Sequence, residues 1–135
     1  MSRFAITTKE SDALVAAAHL IMRFKISGLP VISNEGTVVG VITATDLFDL
    51  MGNDVSQGDG QTEAFSEKLL VRDLMTKHVF TVQENTSLFD IIALMHEKNV
   101  HTLPVLNAGA IVGVIGRRDV LHAYYKMQAA LEKAV

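Results

Sequence analysis

Two stretches of the chain carry apolar residues at helical spacing. Leu14, Ala17, Ala18 and Ile21 fall at i, i+3, i+4 and i+7, and so do Leu88, Ile91, Ile92 and Met95, which lines one face of an α-helix. Ser11 and Asp12 stand before the first stripe and Thr86 and Ser87 before the second. Such side chains accept from the N–H groups that open a helix, so each pair is expected to mark a helix start. Short extended segments are expected ahead of the helices, over residues 5–8 and 79–82. Each stripe is followed by Leu-Pro-Val within a short apolar run and by a turn, Asn34-Glu35-Gly36 or Asn107-Ala108-Gly109. Strands rich in β-branched residues come next, over 37–43 and 110–115. A further short helix is expected near Asp46 and near Asp119. The pattern predicts β-α-β-β-α, twice.

The two copies align residue by residue. Both prolines of the chain lie in matching phrases, Gly28-Leu29-Pro30-Val31 and Thr102-Leu103-Pro104-Val105. Thr7, Leu14 and Leu20 match Thr81, Leu88 and Leu94, and Val39-Gly40-Val41-Ile42 matches Val112-Gly113-Val114-Ile115. One residue is dropped near Ser33, in a turn, where length changes are tolerated best. Repetition at this scale points to two copies of one supersecondary unit, each burying an apolar face. The expected division is repeat one over 1–51, a flexible linker over 52–68, repeat two over 69–126 and a C-terminal helix extension over 127–135. The linker contains Gly52, Gly58 and Gly60 without apolar periodicity. Along the extension, Val120, Tyr124, Met127 and Leu131 keep one stripe, a face that must pack on this chain or on a partner.

Composition narrows the function classes. A chain of 135 residues with 49% apolar and 20% charged residues suits one globular domain. It has no cysteine, which removes disulfides, thiol catalysis and cysteine-ligated zinc. Its net charge of −3 argues against nucleic-acid binding, which needs a basic face. The longest mostly apolar stretch, residues 13–22, includes His19 and falls short of the roughly 20 residues needed to cross a bilayer. The N-terminus lacks the apolar core of a secretory signal. A cytoplasmic location is therefore expected, for a free-standing domain or for a piece of a larger protein. His19, His78, His96 and His122 form no metal-ligating spacing, and no nucleophile–base pair or catalytic carboxylate pair is evident, so an enzyme is not expected.

The chain resembles a tandem pair of cystathionine β-synthase (CBS) domains, the Bateman module. The residues that carry the likeness are the Leu-Pro-Val phrases, the junctions 40–46 and 113–119 that run Gly-Val-Ile to an aspartate, and Val71-Arg72-Asp73-Leu74-Met75-Thr76, similar to the opening phrase of such a repeat. Nothing before Phe4 is similar to that phrase, so repeat one is expected either to lack its opening segment or to be natively short. The resemblance implies an α+β fold, two β-α-β-β-α repeats packed with pseudo-twofold symmetry, and a regulatory module rather than an enzyme. It also implies inter-repeat clefts for AMP, ADP, ATP or S-adenosylmethionine, no required cofactor, a homodimer, and control of an effector protein or fused domain. Ala16, Ala17 and Ala18 would allow close helix approach in that dimer, with area from Leu47, Phe48, Leu50 and Met51. The alternative is a dimerisation scaffold with vestigial clefts.

By the same resemblance, a Ser or Thr three residues ahead of the aspartate holds a ribose together with it. That places Thr43 and Asp46 in copy one, but Gly116 beside Asp119 in copy two, with Arg117 and Arg118 offering cations for phosphate. Thr8, Ile26, Ser27 and Gly28, and in copy two Val100, His101 and Thr102, complete the candidate ligand-binding set. The plainer alternatives are helix capping for the aspartates, strand propensity for Thr43 and a solvated face for the arginines. The intact pair Thr43 and Asp46 is expected to bind the tighter ligand.

Overall fold

The computed structural model describes residues 6–56 and 68–133. The opening segment before Ile6, most of the expected linker and the last two residues of the extension lie outside the described residues. Both apolar stripes are helices, α1 (Leu14–Phe24) and α4 (Leu88–Lys98). Each turns out of its helix through a left-handed residue, Lys25 at φ 52° and Asn99 at φ 51°. The remaining elements are β1 (Thr8–Lys9), β2 (Gly28–Ile32), β3 (Val38–Thr43), α2 (Ala44–Ser56), α3 (Val71–Leu74), β4 (Val82–Gln83), β5 (Thr102–Asn107), β6 (Ala110–Gly116) and α5 (Arg117–Lys133). They form an α+β fold with two three-stranded sheets, ordered β1-β2-β3 and β4-β5-β6. In both, the short first strand pairs parallel to the middle strand, which pairs antiparallel to the third.

The duplication extends to the irregularities. A register shift lies between Val31 and Ile32 in one sheet and between Val105 and Leu106 in the other. The dropped residue explains the difference between the turns. Ala108 and Gly109, both at positive φ, close a two-residue hairpin between the paired Asn107 and Ala110. The longer turn of the first copy is held by Ser33, whose N–H donates to Thr37 O at 2.8 Å and whose Oγ accepts from Thr37 N at 3.2 Å.

The chain divides into two compact units, with the break between Val79 and Phe80. In the unit of residues 6–79, Leu14, Ala17, Ile21, Leu29, Val31, Ile42 and Val71 are buried in one core. That core includes α3, although the second sequence repeat was expected from residue 69. The segment around α3 clasps the first repeat: Leu14 N–H donates to Leu69 O, Val71 N–H to Asp12 O, and Val41 and Thr76 exchange both backbone bonds at 3.0 and 2.9 Å. Gly40 makes the close approach possible, since a Cβ there would lie 2.7 Å from Met75 Sδ and 2.9 Å from Thr76 O. The clasp also takes over the expected cap of α1. Leu69 O receives the Leu14 N–H, while Asp12 accepts from Thr8 Oγ1 and Lys9 N instead. In α4 the cap is as expected, with Ser87 Oγ accepting from Asp90 N at 3.1 Å.

One other expectation is corrected. Residues 52–56 continue α2 rather than loop out, because one glycine costs a helix only about 1 kcal/mol. In the unit of residues 80–133, Leu103, Val105, Val82, Ile91, Met95 and Val120 make the core, while Val114 and Ile115 are only half-buried. Their first-repeat counterparts Val41 and Ile42 are buried, at 8% and 0% exposure.

Candidate functional site

The same backbone bond builds a strand-to-helix corner in each unit. Ala44 N–H donates to Ser27 O at 2.8 Å, and Arg117 N–H donates to His101 O at 3.2 Å. Each bond ties the residue before a middle strand to the first residue of a helix. Ile26, Ser27, Gly28, Thr43 and Asp46 therefore gather at one corner, and Val100, His101, Thr102, Gly116 and Asp119 at the other. Thr8 stands apart from its set. It is buried opposite Val31, about 10 Å of strand rise from Gly28, and its hydroxyl donates to Asp12 Oδ2 at 3.1 Å.

At the first corner, Thr43 and Asp46 form a reciprocal cap. Asp46 Oδ2 accepts from Thr43 N at 2.9 Å and from Thr43 Oγ1 at 3.0 Å, while Thr43 Oγ1 accepts from Asp46 N at 3.2 Å. Capping is thus a structural role of both residues. The arrangement leaves Asp46 Oδ1 with no hydrogen bond among the described residues, on a half-buried carboxylate whose rotamer is fixed by its other oxygen. The Thr43 hydroxyl proton is committed to Asp46 and is not available to a ligand at the same time.

The second corner keeps half of this arrangement. Asp119 Oδ2 accepts from Gly116 N at 2.8 Å, and no side chain is present at Gly116 to return a bond. The sheet register places a hydroxyl nearby by another route. Thr43 lies directly opposite Gly28, whereas Gly116 lies directly opposite Thr102. Facing residues of an antiparallel pair project to the same side. The hydroxyl has moved across the ladder.

Arg117 and Arg118 serve different surroundings. Consecutive helix residues point about 100° apart. Arg117 Nη1 approaches His101 Nε2 at 3.3 Å and shares a helix stripe with Val120, Leu121 and Tyr124. The sequence reading named the two cations without separating them, and only the phase of α5 does so. It also missed Gly40 and Met75 as a clasp, for which a glycine inside a β-branched strand was the available signal. Among the described residues, no three His, Asp or Glu side chains are grouped to hold a metal ion, and no helix is long and apolar enough to cross a membrane.

A duplicated α+β unit, with a carboxylate capping the helix after each Leu-Pro-Val hairpin, defines a class of paired domains. The CBS domain family matches residues 1–53 and 71–126, so the chain belongs to it. The inosine-5'-monophosphate dehydrogenase of Methanocaldococcus jannaschii is 31% identical over 95% of this chain and 23% of its own length. The chloroplastic CBS domain-containing protein CBSX2 of Arabidopsis thaliana is 31% identical over 93% of this chain and 61% of its own. The chain thus spans less than two thirds of the length of either relative. The crystal structure of CBSX2 in complex with AMP superimposes with a TM-score of 0.72 at 31% identity, covering 92% of this chain and 90% of that one. The CBS-domain protein ATU1752 of Agrobacterium tumefaciens does so with a TM-score of 0.76 at 27% identity, covering 91% of each.

Proposed function

We propose that the chain is a regulatory sensor module. Its ligand is an adenine nucleotide or another adenosyl compound, bound at the strand-to-helix corners, and occupancy biases a partner protein or fused domain. The observation that carries this reading is the Asp46 carboxylate, oriented through Oδ2 with Oδ1 free to accept from ribose hydroxyls. A 31%-identical relative crystallised with AMP supports the ligand class. The span matched in inosine-5'-monophosphate dehydrogenase, 23% of that chain, supports a module attached to larger machinery.

The first corner is the stronger site in this reading. Two bonds hold its carboxylate in place, against one bond on the exposed Asp119. Ser27 at the first corner and Arg118 beside Asp119 are the polar groups proposed for phosphate, and Ile26, Gly28 and Val100 supply backbone near the adenosyl group. Calorimetric titration with AMP, ATP and S-adenosylmethionine tests the proposal. Saturable binding of at least one is expected, and none binding up to millimolar concentration would refute it.

The module is further proposed to be a homodimer in the cytoplasm, its helices supplying the interface. Ala17, Ala18 and Leu47 belong to the unit's own core and are not available for this, but Phe48 at 68% and Met22 at 75% exposure are. Sedimentation at tens of micromolar should show a dimer.

A further inference from the structure

Met75 fastens the clasp to the first sheet with a thioether set against bare backbone. A Cβ on Gly40 would lie 2.7 Å from its Sδ and 3.1 Å from its Cγ, so Met75 fills the space that a side chain at position 40 would need. Gly40 is buried, while Met75 is half-buried and packs against the core of Leu14, Leu29 and Ile42. Beside this contact Val41 and Thr76 exchange their two backbone bonds, at 3.0 and 2.9 Å. An unbranched, flexible thioether suits such a notch.

The same sulfur is open to chemistry. The chain has no cysteine, so its thioethers are its sulfur groups available to an oxidant. A sulfoxide turns an apolar side chain polar, and its effect depends on where the new oxygen falls. Met22, on α1 at 75% exposure, would place that oxygen in water. Met95 is buried in the second core and shielded from solvent. Met75 combines access from solvent with a packing role. An oxygen on its sulfur would enter the notch, where the Thr76 carbonyl lies 2.9 Å from the same Cβ position. That neighbour is itself an acceptor, so a sulfoxide oxygen held there would be unpaired and partly stripped of water.

We infer that Met75 is a modification site whose oxidation by a hydroperoxide opens the clasp. The sulfur lone pair attacks one peroxide oxygen and the O–O bond breaks. Sulfur gives up two electrons and becomes the sulfoxide, and the second oxygen leaves as water with both protons. The sulfoxide moves out of the Gly40 notch into solvent, Thr76 departs from Val41, and the outer edge of β3 opens. A methionine sulfoxide reductase with a dithiol as its two-electron donor restores the thioether and the clasp. This input to the module is independent of any adenosyl ligand.

The full chain is treated with graded hydrogen peroxide, with mass spectrometry to locate the added oxygen and amide hydrogen exchange to read the clasp. Met22 should react first and Met75 before Met95. Once Met75 is oxidised, the Val41 and Thr76 amides should exchange about tenfold faster or more, as expected for the loss of one hydrogen bond each (about 1.4 kcal/mol per tenfold). Amides of β5 and β6 should not change, and reductase treatment should reverse the effect. Met75→Leu should remove the response to peroxide, and Met75→Gln, polar like the sulfoxide, should exchange fast without it. The combined Met22→Leu, Met51→Leu and Met127→Leu chain keeps Met75 and should respond as the native chain does. That chain decides the matter if Met75→Leu already exchanges fast before oxidation. The inference is overturned if Met95 reacts before Met75, or if Met75 is oxidised with Val41 and Thr76 exchange unchanged. A response that persists in Met75→Leu, or is lost in the combined variant, overturns it equally.

Discussion

Asp46→Asn separates capping from ligand recognition at the first corner. Asparagine can place its carbonyl oxygen where Asp46 Oδ2 now accepts from Thr43 N at 2.9 Å and Thr43 Oγ1 at 3.0 Å. Its amide nitrogen then takes the place of Oδ1, and presents donors where a ribose hydroxyl needs an acceptor. Folding should lose only the charge–dipole contribution at the start of α2, about 0.3–1 kcal/mol. Asp46→Ala should lose both capping bonds as well, about 1–2 kcal/mol, or a few degrees in melting temperature. For binding, removal of a charged acceptor is worth about 1.5–3 kcal/mol, roughly 10- to 150-fold in Kd. Calorimetry with AMP on the native, Asn and Ala chains, with melting curves on each, reads all the terms. Equal and large losses of AMP affinity are expected in both variants, with a clear drop in melting temperature only in Asp46→Ala. An Asn variant that binds AMP within about twofold of the native chain would refute the assignment of Asp46 as ribose acceptor.

Three other outcomes follow from the packing. Gly40→Ala forces a Cβ against Met75 Sδ and the Thr76 carbonyl, and chemical denaturation should show a loss of about 1–3 kcal/mol as the clasp is displaced. Ile42→Ala, at a fully buried site, should cost about 2–5 kcal/mol, and Ile115→Ala, at its half-buried counterpart, clearly less in the same assay. Gly116 has no positive φ, so Gly116→Thr is compatible with its backbone. It should restore the reciprocal cap seen at Thr43 and raise the melting temperature by a few degrees.

The elements legible in the sequence are those set by local pattern. Periods of 3.6 and 2 and paired turn residues identified α1, α4 and the two hairpins, and alignment of the copies placed Asp46 and Asp119 at helix starts. Relations across the chain were not legible. Ser11 and Asp12 had the chemistry of a cap, yet the carbonyl that closes α1 belongs to Leu69, far along the sequence. Gly116 revealed a missing hydroxyl, but a single strand does not reveal that Thr102 stands opposite it. Ile115 matched Ile42 in type but not in burial, since side-chain identity does not report what covers a position.

The clasp bears on how this chain can be divided. A fragment ending at residue 68, where the sequence repeats would suggest a cut, lacks the Val71 side chain that is fully buried in the first core. It also leaves the Val41 N–H and C=O open on the outer side of β3, where Thr76 now caps both. An uncovered β-branched edge is a template for pairing with other chains. The glycine notch at position 40 would then admit a foreign strand as readily as the native one. Protection of the first sheet against self-association is therefore encoded in residues 69–76, beyond the point where the first repeat ends in the sequence, and a cut after Val79 keeps that edge covered where a cut after residue 68 exposes it.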